Sequence, residues 1–266
     1  MLVDMGVDRI HHAFWKPMDP RHPDYEPDMS FSTAIHDYYC HVDERVGQLL
    51  AKCDDETAVL VVSDHGAQPL LGGICINEWL MEKGYLTLKE KPTEPTTLDK
   101  VEVDWENTTV WGAGGYYARI FLNVKGREPQ GTIPLREFKA FREQLIAELE
   151  AITLPDGSPM EVKAYIPQET YQKVRGMAPV LLVYFDWLAW RSVGSVGTGE
   201  LYAKGNDTGP DDANHAQYGL MIFHDPKKSY GGQVLENAQL YDILPTMLAR
   251  YGVNGPDDLR GKVLSI

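Results

Sequence analysis

Cysteine is scarce in this chain of 266 residues, which contains Cys40, Cys53 and Cys75 and no pair spaced as CxxC. Three cysteines are too few for a disulfide framework, and the missing CxxC pair argues against thiolate zinc sites and redox motifs. A chain with so few thiols fits a reducing compartment, and we expect a cytoplasmic protein. Any metal site must therefore be built from carboxylates and imidazoles.

Basic residues are also in deficit, because 25 Lys and Arg stand against 39 Asp and Glu, for a net charge of −14. Surfaces that bind nucleic-acid polymers neutralise phosphates with clustered Lys and Arg, so this charge argues against such a partner. A small phosphorylated substrate remains compatible where local cations offset the repulsion. The chain has no apolar run approaching 18 residues and no signal-peptide pattern, so we expect no membrane partner.

Hydrophobic periodicity predicts an α/β fold. Apolar residues recur at three- and four-residue steps over residues 30–52, which predicts an amphipathic helix with Ser30 as its N-cap. The unbroken run 58–62 suits a strand buried on both faces of a parallel sheet. MLVDMG, residues 1–6, reads as the end of another buried strand. The helix between these two strands would complete a right-handed βαβ unit.

The pattern changes between residues 72 and 205, where short apolar runs at 118–124 and 180–185 surround a helical pattern at 135–151. We interpret 72–205 as a mixed α+β insertion that caps the site and selects substrate. Residues 1–71 and 206–266 would form the metal-binding core, which resumes with a strand at 218–223 and a helix at 240–251. We therefore expect a mostly parallel central sheet sandwiched by helices, whose first strand or strands lie upstream of Met1.

Three polar clusters fall close to strands. Asp8 and His12 follow the first predicted strand, Asp64 and His65 follow the second, and His215 precedes the strand at 218–223. Ligands of open parallel sheets bind beyond the carboxyl ends of the strands, which brings the first two clusters together. Carboxylates and imidazoles there suit zinc or manganese. Each cluster also has a plainer interpretation, as a helix cap, a turn or a packed ring.

Taken together, the motifs GVDRIHHAFW, VVSDHG and NHAQYG, followed by DILPTMLARYGV and DLRGKVL, resemble the alkaline phosphatase superfamily. The resemblance is to its type I phosphodiesterase/nucleotide pyrophosphatase branch, including predicted phosphohydrolases and phosphomutases, and covers nearly the whole chain. It implies an alkaline-phosphatase-like sheet. It also implies a metal-dependent hydrolase of phosphoric esters that acts on a small phosphorylated or nucleotide-like substrate.

The resemblance also assigns residues to two divalent metal ions, zinc first and manganese second. Asp8, His12 and His215 would hold one ion, and Asp64 and His65 would belong to the other. The family's remaining Asp ligand and its Thr or Ser nucleophile precede these motifs, so they would lie upstream of Met1. We therefore expect a C-terminal portion with one complete metal site, no catalytic nucleophile and no activity of its own. Val180 stands where this branch would carry an acidic residue.

Two other functions remain open at this point. A phosphomutase of the same superfamily would return the phosphoryl group to its substrate. A truncated or degenerate module would bind one metal ion or an anion without turnover. The strand expected upstream would also leave an exposed sheet edge, through which the chain could self-associate.

Overall fold

The computed structural model describes residues 1–205, 207 and 209–266. The chain forms two compact units, one made of residues 1–40 and 67–217 and the other of residues 41–66 and 218–266. These units do not follow the boundaries expected at 71/72 and 205/206. The interpretation of 72–205 as a substrate-selecting insertion stays a prediction.

The described part of the chain contains six α-helices and eleven strands, with several short 3₁₀ turns. The helices are α1 (Gly6–Phe14), α2 (Ala34–Leu50), α3 (Ile76–Glu82), α4 (Phe138–Leu149), α5 (Pro167–Thr170) and α6 (Ile243–Arg250). The strands are β1 (Val59–Val62), β2 (Gly66–Pro69), β3 (Gly72–Cys75), β4 (Val110–Ala113), β5 (Ala118–Leu122), β6 (Val162–Tyr165), β7 (Leu181–Phe185), β8 (Trp190–Val193), β9 (Tyr202–Ala203), β10 (Ala213–Ala216) and β11 (Met221–His224). None of these helices is both long enough and apolar enough to cross a membrane.

A seven-stranded mixed sheet forms the centre of the first unit. Its strands follow the order β4-β5-β7-β8-β3-β9, and β6 pairs with β7 beside this path. Among the described pairs of this sheet, β3 and β8 run parallel and the others run antiparallel. The α/β class is therefore confirmed, whereas a mostly parallel sheet is not observed in this unit.

The core of this sheet comes from the runs that the sequence singles out. In β5 the side chains of Ala118, Ile120 and Leu122 are fully buried, alternating with more exposed neighbours as a strand packed on one face requires. Helix α4 contributes Leu145 and Leu149, which are also fully buried. The predictions of strands at 118–124 and 180–185 and of a helix at 135–151 are confirmed, the helix beginning as a 3₁₀ turn over Leu135–Glu137.

Asn77 holds α3 against the sheet. Its amide is fully buried, donates to the carbonyls of Gly112 and Gly194 at 3.0 and 2.7 Å, and accepts from the Gly112 N–H at 2.9 Å. We expect Asn77→Ala to lower the free energy of unfolding by about 2–4 kcal/mol, because backbone groups in the core lose their partner. Urea denaturation checks this, with the exposed Asn107→Ala as the matched control. A loss no larger than that of the control would contradict the role of Asn77.

The second unit is built on the antiparallel pair β1 and β11, with Val59 opposite His224 and Val62 opposite Met221. Helix α6 follows a 3₁₀ turn over Leu240–Asp242. The predicted strands at 58–62 and 218–223 and the helix at 240–251 are thus confirmed as elements. The prediction that 58–62 is buried on both faces is wrong, since Val61 and Val62 are 37% and 43% exposed.

The prediction of a strand over residues 1–6 is also wrong. Residues 1–5 adopt no regular secondary structure and are exposed, and Gly6 begins α1. The Asp4 carboxylate accepts the Gly6 N–H at 2.6 Å, and the Met5 carbonyl accepts the Arg9 N–H at 3.2 Å. The backbone therefore enters the helix at Gly6, where a strand over residues 1–6 would have to continue. The expected helix at 30–52 is confirmed as α2, which begins at Ala34 and ends at Leu50, but Ser30 is not its N-cap, because the helix begins four residues later.

Candidate metal centre

Helix α1 places two of the predicted ligands on one face. Asp8 and His12 are four residues apart, so one helical turn aligns their side chains. The Asp8 Oδ1 atom lies 3.4 Å from the His12 Nε2 atom, with side-chain exposures of 39% and 19%. The pair is accessible from solvent on the carboxylate side and shielded on the imidazole side.

The third predicted ligand comes from a distant part of the sequence. His215 lies on β10, which pairs with β2, and its Nε2 atom is 3.6 Å from Asp8 Oδ1. The chain beside it is tied to the end of α1, because the Asp212 N–H donates to the His12 carbonyl at 2.8 Å. The rings of His12 and His215 are 5.4 Å apart at 70°. The structure therefore places His12 and His215 beside the same carboxylate oxygen of Asp8.

The spacing of these ligand atoms suits a metal ion. Four ligands at about 2.1 Å from a tetrahedral zinc ion lie about 3.4 Å from one another. The separations of Asp8 Oδ1 from the two Nε2 atoms, 3.4 and 3.6 Å, match this edge length. One carboxylate and two imidazoles are also a donor set that zinc and manganese accept. The donor types and these two separations are compatible with a divalent ion, while ligation by Asp8, His12 and His215 together stays a prediction.

A second carboxylate contacts His12 at Nδ1, the ring nitrogen that does not face Asp8. The Asp211 Oδ1 atom lies 2.7 Å from His12 Nδ1, and the other carboxylate oxygen accepts from Arg191 Nη1 at 3.1 Å. The hydrogen bond to Asp211 raises the pKa of His12 above its usual value, while burial of the ring acts in the opposite direction. Arg191 belongs to β8, and its side chain is 6% exposed.

An aromatic ring lies over the same histidines. The Tyr116 ring is 4.2 Å from the ring of His215 and 6.0 Å from that of His12. The guanidinium carbon of Arg191 lies 5.7 Å from the centre of the Tyr116 ring, within cation–π distance. Burial raises the pKa of Tyr116, so its hydroxyl stays protonated at neutral pH.

Tyr116 and Arg191 reach the site from neighbouring positions. Gly115 and Ser192 exchange two backbone hydrogen bonds, at 2.8 and 3.0 Å, and each of the two side chains stands next to this bridge. Sequence reasoning missed Asp211, Arg191 and Tyr116. The acidic pair before NHAQYG was a signal for Asp211, whereas nothing local marked the other two.

A strained turn is bonded to the backbone of His215. Asp186, Trp187 and Leu188 all have positive φ, at 47°, 52° and 73°, a conformation that costs non-glycine residues about 1–3 kcal/mol each. The Gln68 amide donates to the Trp187 carbonyl at 2.7 Å and to the His215 carbonyl at 2.9 Å. One side chain thus joins the turn to the strand that carries the ligand.

Asp64 and His65 lie in the second unit, in the segment that follows β1. Asp64 Oδ1 is 3.7 Å from His65 Nε2, and His65 Nδ1 is 2.9 Å from the Gly66 carbonyl oxygen. The His65 ring therefore lies between the backbone of the next residue, at Nδ1, and the Asp64 carboxylate, at Nε2. Asp64 is 78% exposed. Their assignment to a second metal ion stays a prediction.

Val180 has a structural explanation. It is 5% exposed, lies in the hydrophobic core of the first unit, and donates its N–H to the Ile120 carbonyl at 2.7 Å. An acidic side chain at this position would be buried among apolar groups, at high cost in free energy.

The comparisons with known proteins agree with the motifs. A family model described as type I phosphodiesterase / nucleotide pyrophosphatase matches residues 1–211. The matched range includes Asp8, His12, Asp64 and His65 and ends at Asp211, four residues before His215. Searches among curated proteins and among solved structures gave no significant match.

Proposed function

Since the chain belongs to the type I phosphodiesterase / nucleotide pyrophosphatase family, we propose that it acts in the metal-dependent hydrolysis of phosphoric esters. The observation that carries the proposal is the position of Asp8 Oδ1, 3.4 and 3.6 Å from the Nε2 atoms of two histidines. One carboxylate and two imidazoles, groups that suit a divalent ion, lie near one another there at positions 8, 12 and 215.

In this proposal Asp8, His12 and His215 hold one ion, with Asp64 and His65 contributing to a second. Zinc is the first candidate and manganese the second, given the nitrogen and oxygen donors. Bound ions would polarise the phosphoryl oxygens and lower the pKa of a coordinated hydroxyl or water. The protein's own part is to fix the two imidazoles and the carboxylate at one spacing and to exclude water from the side covered by Tyr116.

The nucleophile in this proposal is a Thr or Ser. In the order of the family's motifs, this nucleophile comes before the segment equivalent to Asp8 and His12.

The substrate in this proposal is a small phosphodiester or a nucleotide-like compound rather than a nucleic-acid polymer. A net charge of −14 repels polyanions, while two bound cations would attract one small anion locally. The reducing cytoplasm remains the proposed location, with Cys40 and Cys53 exposed and Cys75 buried as free thiols.

Metal removal tests this function. We expect the full-length protein to hydrolyse a p-nitrophenyl phosphodiester, to lose at least about 100-fold in rate when metal is chelated, and to recover with zinc or manganese. Residues 1–266 alone should stay near the uncatalysed rate. Full activity in excess chelator would overturn the proposal.

Two other results would redirect the assignment. Exchange of a phosphoryl group between substrate positions without release of phosphate would identify a phosphomutase. Tight zinc binding by a full-length protein that hydrolyses neither phosphodiesters nor phosphomonoesters would identify a module that binds without turnover.

A further inference from the structure

The Asp211 carboxylate contacts two side chains, the buried guanidinium of Arg191 and the imidazole of His12, a candidate metal ligand. It lies 2.7 Å from His12 Nδ1 and accepts from Arg191 Nη1 at 3.1 Å, with a side-chain exposure of 13%. The two ring nitrogens of His12 therefore face different carboxylates: Nδ1 contacts Asp211, and Nε2 lies 3.4 Å from Asp8. One nitrogen is hydrogen-bonded away from the candidate site, and the other faces it.

We propose that Asp211 and Arg191 are positioning residues that prepare His12 to bind metal, an inference that rests on the proposed function. A carboxylate oxygen accepts hydrogen bonds, so Asp211 Oδ1, 2.7 Å from Nδ1, favours the tautomer that carries the proton on Nδ1. The neutral ring then presents the Nε2 lone pair on the side of Asp8 and His215. A hydrogen bond behind a ligating histidine fixes its tautomer and orientation in this manner.

Arg191 fixes the Asp211 carboxylate through an ion pair. The Arg191 side chain is 6% exposed and its guanidinium lies next to the Tyr116 ring, so the ion pair with Asp211 is little screened by water. Because Arg191 stands on β8 of the central sheet, the rigid sheet fixes the position of Asp211 and, through it, of His12. The predicted insertion thus contributes to the metal centre without supplying a ligand.

The test compares two neighbouring aspartates. The Asp211→Asn variant keeps the shape of the side chain but offers an NH₂ group that can donate to Nδ1, which favours the tautomer with the proton on Nε2. We expect zinc affinity of the full-length protein, measured by isothermal titration with zinc alone, to fall by about 10–100-fold. The control is Asp212→Asn, because the Asp212 carboxylate accepts from the Lys16 N–H at 3.3 Å instead of the ring.

Imidazole ¹⁵N spectra of the metal-free protein give a second readout that a purely structural role would not change. Wild type and Asp212→Asn should show His12 protonated on Nδ1 in its neutral form, and Asp211→Asn should show a shift toward the Nε2-protonated form. Arg191→Lys, which keeps the charge but not the planar fork, should fall between wild type and Asp211→Asn in zinc affinity. It also replaces Asp211→Asn as the test if that variant does not fold.

The outcomes separate this inference from the function beneath it. If His12→Ala weakens zinc binding but Asp211→Asn changes neither affinity nor tautomer, the positioning role is refuted and the metal centre stands. Equal losses in Asp211→Asn and Asp212→Asn would also refute it, because they would reflect only the removal of negative charge. If His12→Ala leaves zinc binding intact, the proposed metal centre and the inference fail together.

Discussion

Replacing His215 by alanine is expected to lower phosphodiester hydrolysis by the full-length protein at least about 100-fold, the loss that even supporting residues of metal sites can cause. The imidazole is one of two that lie beside Asp8, at 3.6 Å, and its removal leaves an incomplete donor set. Rates with a p-nitrophenyl phosphodiester, measured over a range of zinc concentrations, check this. The loss should shrink as zinc is raised, since weaker binding can be offset by mass action.

His224→Ala is the control for this experiment, because His224 is an exposed histidine at the end of β11. It should retain the wild-type rate within about threefold, in line with the small effects of most surface substitutions. A His215→Ala variant that is as active as His224→Ala at limiting zinc would show that His215 is not a ligand.

Gly114→Ala should destabilise the first unit severely. A Cβ at position 114 would lie 2.3 Å from the Gly194 nitrogen and 2.7 Å from the Ser192 carbonyl oxygen, and both are backbone atoms that cannot rotate away. Relief requires the segment before Tyr116 to separate from the one after Arg191. We expect a loss above about 3 kcal/mol, at the upper end of overpacking effects, or failure to fold.

The matched control has the opposite expected sign. Gly47 lies on the exposed side of α2, and a Cβ there meets nothing within 4 Å. Gly47→Ala should therefore stabilise the protein by about 0.5–1 kcal/mol, because alanine loses less freedom in a helix than glycine. Thermal and urea unfolding of both variants provide the measurement. A folded Gly114→Ala protein of wild-type stability would contradict the close backbone approach.

The elements that the sequence predicted well are those whose pattern is local. Helix α4 repeats apolar residues over three turns, β5 alternates buried apolar residues with more exposed ones, and β7 is an unbroken apolar run, so no distant partner is needed to recognise them. Their pairing is different. The direction of β1 depends on β11, about 160 positions further along the chain, and nothing in the run 59–62 specifies an antiparallel partner.

Residues 1–6 show how an apolar sequence can mislead. Two apolar residues, Leu2 and Val3, suggested a buried strand, but a strand also requires a neighbour to satisfy its backbone groups. The structure instead uses Asp4 and Met5 to receive the first N–H groups of α1. One carboxylate and one backbone carbonyl therefore begin a helix where the apolar residues alone suggested a strand.

The candidate site divides in the same manner. The spacing of Asp8 and His12 predicts their common face, because one helical turn sets it. His215 was singled out by its place before the strand at 218–223, and the resemblance of NHAQYG to its family assigned it to the same ion as Asp8 and His12. Asp211 contacts His12 from 199 positions away, and Arg191, 179 positions away, contacts Asp211. Such contacts depend on the tertiary fold, so no local motif predicts them.

The bridge made by Gln68 has an evolutionary consequence. The Gln68 amide donates to the backbone carbonyl oxygens of Trp187 and His215, so these hydrogen bonds do not depend on the side chain at position 187. What the turn demands there is tolerance of a φ of 52°, which glycine and asparagine offer more readily than tryptophan. Position 187 can thus be substituted by residues that accept this backbone conformation. Such substitutions would change the surface beside β10 and keep the hydrogen bonds from Gln68 to the strand that carries His215. A mutational library confined to this position would vary that surface without changing the backbone around it.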